Sequence, residues 1–174
     1  MVLHLGPMLR GEVQKMDFDY LLPSGEFGDD RFAGDARVSG TITDEGGYMH
    51  LILSATIPYK TECARCLAPV TGEFSVELER TVAVKETLTR EQIEENVDEF
   101  AVVENGELAL DDTVREELLL SFPMRFLCSE DCPGLCPRCG KPLSEGPCGC
   151  DQKEIDPRWA VLKTLYDKNE ESDE

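Results

Sequence analysis

Apolar and polar positions alternate most clearly between residues 36 and 57. Ala36, Val38, Gly40 and Ile42 make the outgoing half, and Met49, Leu51, Leu53, Ala55 and Ile57 the return. A period of two puts successive side chains on opposite faces of a strand. Asp44-Glu45-Gly46-Gly47 lies between the halves and supplies the residues of a tight turn, so the pair predicts a β-hairpin. Phe74, Val76 and Leu78 begin another strand that can run past Arg80 to Val84. An earlier apolar segment, Val13 to Leu22, reads as a strand or extended arm that stops at Pro23. Ser24 to Asp30 is rich in glycine and acid and reads as a loop.

Glu91 to Glu107 holds seven acidic residues and no basic one. Its first part predicts a loop or short helix. At its end, Ala101-Val102-Val103 and Leu108-Ala109-Leu110 flank Asn105-Gly106, a strong two-residue hairpin signal. Thr113-Val-Arg-Glu116 then has the pattern of a capping box, in which Thr113 accepts the Glu116 N–H and Glu116 reaches back. Val114, Leu118 and Phe122, with Leu119 beside them, give the helix an apolar face, and Pro123 ends it. Asp156-Pro157-Arg158 predicts the start of a last helix. Trp159, Leu162 and Tyr166, with Val161 and Leu165, form its apolar stripe, and the acidic tail from Asp167 to Glu174 is expected to fray.

These elements predict an α+β fold: an antiparallel β-rich core with a packed helix, a C-terminal zinc-ribbon-like cysteine segment, and a final helix. Residues 1–127 make the β-rich core ending in a helix. Residues 128–155 make the ribbon-like segment, and 156–174 the C-terminal helix and acidic tail. At 174 residues the chain is long enough for one domain with a core and a small appendage. The opening, Met1-Val-Leu-His-Leu-Gly-Pro-Met-Leu-Arg10, lacks a basic start and a long apolar run, which argues against a signal peptide. No stretch resembles a membrane helix. The expectation is a cytoplasmic protein without a membrane partner.

Charge changes the choice of partner. The formal net charge is −19, which opposes generic nucleic-acid binding. Eight thiolates around two Zn²⁺ would take it to about −23. A basic partner suits this field, and the alternative is that acidity serves only solubility.

The cysteines carry the chemistry. All eight fall in two places: Cys63 and Cys66, then Cys128, Cys132, Cys136, Cys139, Cys148 and Cys150. In a chain read as cytoplasmic, such clustering favours metal over disulfides. Cys63-Ala-Arg-Cys66 and Cys136-Pro-Arg-Cys139 have the spacing that lets two sulfurs meet one ion while backbone N–H groups point at the thiolates. Cys148-Gly-Cys150 is the natural partner of the second pair, giving one closed four-sulfur site. Cys128 and Cys132 remain to join Cys63 and Cys66 in a second site that clips distant parts of the chain together. An alternative grouping uses Cys128, Cys132, Cys136 and Cys139 and leaves Cys63 and Cys66 free. Four thiolates leave no open coordination position, so two structural zinc ions are expected. The competing chemistries are a thioredoxin-like pair at Cys63 and Cys66, disfavoured by Pro69 and the strand pattern that follows, and an iron–sulfur cluster.

No enzyme signature accompanies these residues. His4 and His50 are the only histidines, and neither begins a His-x-Glu. There is no Gly-x-Ser-x-Gly and no Gly-x-x-x-x-Gly-Lys. A non-enzymatic protein with no catalytic residue is expected.

Taken together, the strand ending in Thr61-Glu-Cys-Ala-Arg-Cys66-Leu67, the Leu108–Leu110 strand, the following helix and Pro123 resemble the YceD family. Cys128-Ser-Glu-Asp-Cys132-Pro-Gly-Leu-Cys136-Pro-Arg-Cys139-Gly140, Cys148-Gly-Cys150 and Asp156-Pro-Arg158 resemble its cysteine-rich branch. The likeness is specific from about Ile57 to Leu165. Members are described as large ribosomal RNA subunit accumulation proteins, which implies support of synthesis, processing or stability of 23S ribosomal RNA. The implied partner is a ribosomal protein or a large-subunit assembly intermediate, with direct RNA contact left open. Arg65, Arg138, Trp159 and Leu162 are candidate contacts. The alternative is a thiol-based redox or zinc sensor.

Overall fold

The computed structural model describes residues 1–89, 91 and 99–150. The expected final helix and acidic tail lie outside the described residues, as do residues 92–98 of the acid-rich stretch. The chain divides into two compact units, Met1–Glu130 and Asp131–Glu174.

The first unit is mostly sheet. Strands β2 (Lys15–Leu22), β3 (Ala36–Glu45), β4 (Tyr48–Glu62), β5 (Pro69–Val84) and β6 (Phe100–Val103) make one five-stranded sheet in that order. A separate pair joins β1 (Val2–His4) to β7 (Glu107–Ala109). Among the described residues two helices accompany them, α1 (Gly6–Leu9) and α2 (Leu110–Ser121).

The expected hairpin is β3–β4. Its two-residue turn, Gly46 at φ 68° and Gly47 at φ 97°, uses the left-handed conformation that glycine adopts freely. The Asp44 carboxylate accepts the Gly47 N–H at 2.8 Å. Alternation then decides the faces: Ala36, Val38, Ile42, Leu51, Leu53, Ala55 and Ile57 are all buried. The strand expected from Phe74 begins earlier, at Pro69, because β4 and β5 form a second and longer hairpin. Its register runs from Met49 opposite Val82 to Glu62 opposite Pro69. The polar and glycine-containing stretch before Phe74 hid this extension, since cross-strand pairing rather than local propensity holds it.

Three expectations need correction. The helix starts at Leu110, with Ala109 as its N-cap and no side-chain cap, so Thr113 lies inside the helix and forms no capping box. Strand β7 runs straight into α2, the Leu110 N–H reaches the Met1 carbonyl at 3.4 Å, and Asp111 and Asp112 occupy the first turn, where the helix dipole favours them. Phe122 is extended rather than helical, at ψ 125°. Pro123 disfavours the α conformation in the residue before it. The turn at Asn105-Gly106 is present, with φ 53° and 78°, but its strands part into different sheets: β6 pairs parallel with β5, and β7 pairs with β1. The sheet is therefore antiparallel except at that edge.

One face of the sheet is buried. Leu110, Val114, Leu118 and Phe122 share a single core cluster with the inward side chains of the strands and with Leu3, Leu5 and Met8 of the opening segment. Arg80 points to the same side, and its guanidinium lies 3.8 Å from the Glu117 carboxylate of α2. The other face carries exposed and half-buried side chains.

Candidate metal centres

The β4–β5 hairpin is closed by residues 63–68, which contain the first cysteine knuckle. The Cys63 N–H donates to the Ala68 carbonyl at 2.8 Å, and the Leu67 N–H donates to the Cys63 carbonyl at 2.9 Å. Leu67 takes the left-handed conformation, φ 59°, at the position after the second cysteine. This curls the loop so that the backbone N–H groups of Arg65 and Cys66 reach the Cys63 sulfur.

The segment following α2 is drawn to the same loop by aromatic packing. Phe122 lies at the centre of a cluster, 4.8 Å from Phe32, 5.3 Å from Phe74, 5.7 Å from Tyr59 and 5.0 Å from Phe126, ring centre to ring centre. The Arg31 guanidinium sits 4.8 Å above the Phe122 ring, a cation–π contact. With Phe126 so placed, its carbonyl accepts the Ala64 N–H at 2.8 Å. The Arg65 guanidinium donates to the Glu130 carbonyl at 3.2 Å. Cys128 follows, its sulfur 3.6 Å from that of Cys66.

Burial alone pushes the Cys63 thiol up. N–H donation from Cys128, Arg65 and Cys66, with the Cys66 thiol, outweighs it and brings Cys63 down to about 6. Such a site favours thiolate before any cation arrives.

The second knuckle repeats the first by a different route. The Cys136 N–H donates to the Lys141 carbonyl and the Gly140 N–H to the Cys136 carbonyl, both at 2.9 Å. Leu135 and Pro142 form an antiparallel bridge around the knuckle, and a 3₁₀ turn, Leu143–Glu145, follows. Gly140 has φ 71°, the conformation that Leu67 holds in the first knuckle. The N–H groups of Cys139 and Arg138 and the Cys148 thiol lower Cys136 to about 6, against the effect of burial. Cys150 is pushed up to about 12, first by its hydrogen bonds to Cys139 and Cys148, then by burial and by repulsion from those sulfurs. Without a cation the fourth thiol keeps its proton through neutral pH.

The eight cysteines form two tetrads, Cys63, Cys66, Cys128 and Cys132, and Cys136, Cys139, Cys148 and Cys150. Within each tetrad the sulfurs all lie within 4.8 Å of one another. Cys128 and Cys132 thus fall with Cys63 and Cys66, not with Cys136 and Cys139 as in the alternative grouping. A tetrahedral ion with metal–sulfur bonds of about 2.3 Å holds its sulfurs about 3.8 Å apart. The Cys66–Cys128 separation of 3.6 Å already matches that. Each tetrad can hold a metal ion.

Other candidates behave differently. His4 sits 3.2 Å from the Glu107 carboxylate, across the β1–β7 pair. His50 is half-buried on the open face of the sheet. Arg65 and Arg138 are exposed, while Trp159 and Leu162 lie outside the described residues. The left-handed Leu67 had one signal in the sequence: it occupies the place that Gly140 fills in the other knuckle.

Comparison with known proteins places this arrangement. An uncharacterized protein of Mycobacterium bovis is 40% identical over 114 residues, covering 64% of this chain and 54% of its own length. A Mycobacterium leprae relative is 35% identical over 112 residues, 64% of this chain and 50% of its own. YlbN of Bacillus subtilis is 32% identical over 115 residues, 63% of this chain and 62% of its own. The chain thus spans about half the length of the mycobacterial relatives it matches. No solved structure matches. The family model described as large ribosomal RNA subunit accumulation protein YceD matches residues 51–166, from within β4 through both cysteine knuckles, and the chain belongs to that family.

Proposed function

We propose that this protein supports the accumulation of 23S ribosomal RNA as a non-enzymatic factor of large-subunit assembly, acting in the cytoplasm. The observation that carries the reading is the family match over residues 51–166, which gives no support to the thiol-sensor alternative. The partner is a basic ribosomal protein or an assembly intermediate that presents one. A net charge of −19 repels bare RNA and attracts basic segments.

In this reading each tetrad takes one Zn²⁺. Four thiolates suit zinc in closed tetrahedral coordination, and a closed site is structural. Cys63, Cys66, Cys128 and Cys132 would hold one ion, and Cys136, Cys139, Cys148 and Cys150 the other. The first ties the tip of the β4–β5 hairpin to the segment beyond α2. The second gives a short segment with little core of its own a reason to fold. Neither contributes a reacting group.

The test is depletion of the protein in its own cell, followed by the ratio of large- to small-subunit ribosomal RNA. The expected result is a lower ratio with large-subunit precursors accumulating. An unchanged ratio would sink the reading.

A further inference from the structure

The open face of the five-stranded sheet has a regular pattern that the metal sites do not explain. Register places Asp17, Thr41, Ile52 and Glu79 in one row across β2, β3, β4 and β5. Asp19, Ser39, Ser54 and Glu77 make the next row. Both rows have acids at their ends and short or apolar side chains between. The face therefore has two acidic walls and a low floor, with Ile52, 55% exposed, in the floor. Between the walls lies an open, shallow depression of about 590 Å³ lined by Asp17, Ser39, Thr41, Ile52, Ser54 and Glu77. Asp17 is balanced by Lys15 at 3.1 Å. Asp19, Glu77 and Glu79 have no basic partner among the described residues.

We infer that this face docks a basic α-helix of a protein partner, lying along the strands. The inference rests on the proposed function in taking the partner to be basic, and it names the surface that receives it. Width selects a helix. The acidic walls stand on strands three spacings apart, about 14 Å. A helix with its side chains is about 10–12 Å across. An extended peptide would need a free strand edge for backbone pairing, whereas here the receiving surface is the middle of a sheet. Charge selects the side chains: lysine or arginine on both flanks of the helix meets Asp19 on one wall and Glu77 and Glu79 on the other. An apolar residue on its underside covers Ile52. RNA is disfavoured because its phosphates would face both walls.

The test uses the full-length protein with a photo-crosslinking amino acid at Ser54, activated in the source cell. The expected adduct is a lysine- or arginine-rich segment of a protein, helical in that protein's own structure. That protein, purified, should bind at least tenfold more weakly to an Asp19→Asn/Glu77→Gln/Glu79→Gln variant. It should bind within twofold of normal to a control with the same charge change elsewhere, Asp30→Asn/Glu86→Gln/Glu116→Gln. Ser54→Arg, which raises a cation from the floor, should block binding by a second route. Adducts with RNA alone, no adduct at all, or equal weakening in both triple variants would overturn the proposal. The two readings fail separately. If depletion lowers 23S ribosomal RNA and the face variant restores it fully, the docking face falls and the proposed function stands. If depletion leaves the RNA unchanged, the function falls, and the crosslink still decides the face.

Discussion

Gly40 shows how one residue can hold a sheet together by what it lacks. It stands between Phe18 and Leu53 in adjacent strands, and the Phe18 ring lies over it. A Cβ here would come 2.6 Å from the Ile52 carbonyl oxygen and from the Phe18 ring, and 2.7 Å from the Leu53 Cβ. Backbone cannot give way cheaply, so Gly40→Ala should destabilise by about 1–3 kcal/mol, the usual range for overpacking. Gly25 is the control, since a Cβ there meets nothing within 4 Å and its φ is not left-handed. Urea unfolding should separate the two variants, and equal midpoints would count against the packing argument. The alternation made Gly40 look like an ordinary inward position, because a sequence shows that a side chain is missing but not which ring covers the gap. The cysteine knuckles were legible for the opposite reason. Cys63–Cys66 and Cys136–Cys139 are local, and their three-residue spacing nearly dictates the loop.

At the scale of elements, the helix after β7 separates a local signal from a tertiary one. Thr113 and Glu116 have the spacing of a capping box, yet strand β7 delivers the chain into helix four residues earlier, with Ala109 as the N-cap, where Met1 of the opening segment takes the first free N–H. Thr113→Ala should therefore change stability by less than about 0.5 kcal/mol, where loss of a real cap costs about 1. Leu118, fully buried on the inward face of α2, should cost about 2–5 kcal/mol on truncation to alanine. Thermal unfolding of both variants tests the pair, and a large loss at Thr113 would restore the capping box. The hairpin β3–β4 was readable because its partners are adjacent in sequence and its turn carries two glycines. The parallel β5–β6 pair and the β1–β7 pair were not. Val2–His4 has three residues and no period, and it becomes a strand only because β7 lies beside it.

At the scale of the whole molecule, the tetrads make metal uptake a proton equilibrium. Cys63 and Cys136, both near 6 against an ordinary value of 9.0, are thiolates in the metal-free protein at neutral pH. Cys150, near 12, keeps its proton until a cation arrives. Binding two divalent ions at pH 7 should therefore release protons, but fewer than one for each of the eight cysteines. The slope of log affinity against pH equals the number of protons released. As pH falls through about 6, Cys63 and Cys136 regain protons that binding must then expel, so affinity should drop more steeply below 6 than above it. The metal-free fold has its own dependence. The two depressed thiols stabilise it fully above pH 9, and that contribution fades as pH falls from 9 through 6. The raised Cys150 acts in the opposite sense, its contribution being present below 9 and lost as pH rises toward 12. Zinc titration of the metal-free protein, by calorimetry in buffers of differing protonation enthalpy from pH 5 to 8, measures the proton count directly. A full complement of eight at pH 7, or a slope that does not change near 6, would mean that the backbone N–H groups do not hold thiolates ready. The knuckles would then be shaped by the metal, and the order of folding would reverse, with the ion arriving before the loops.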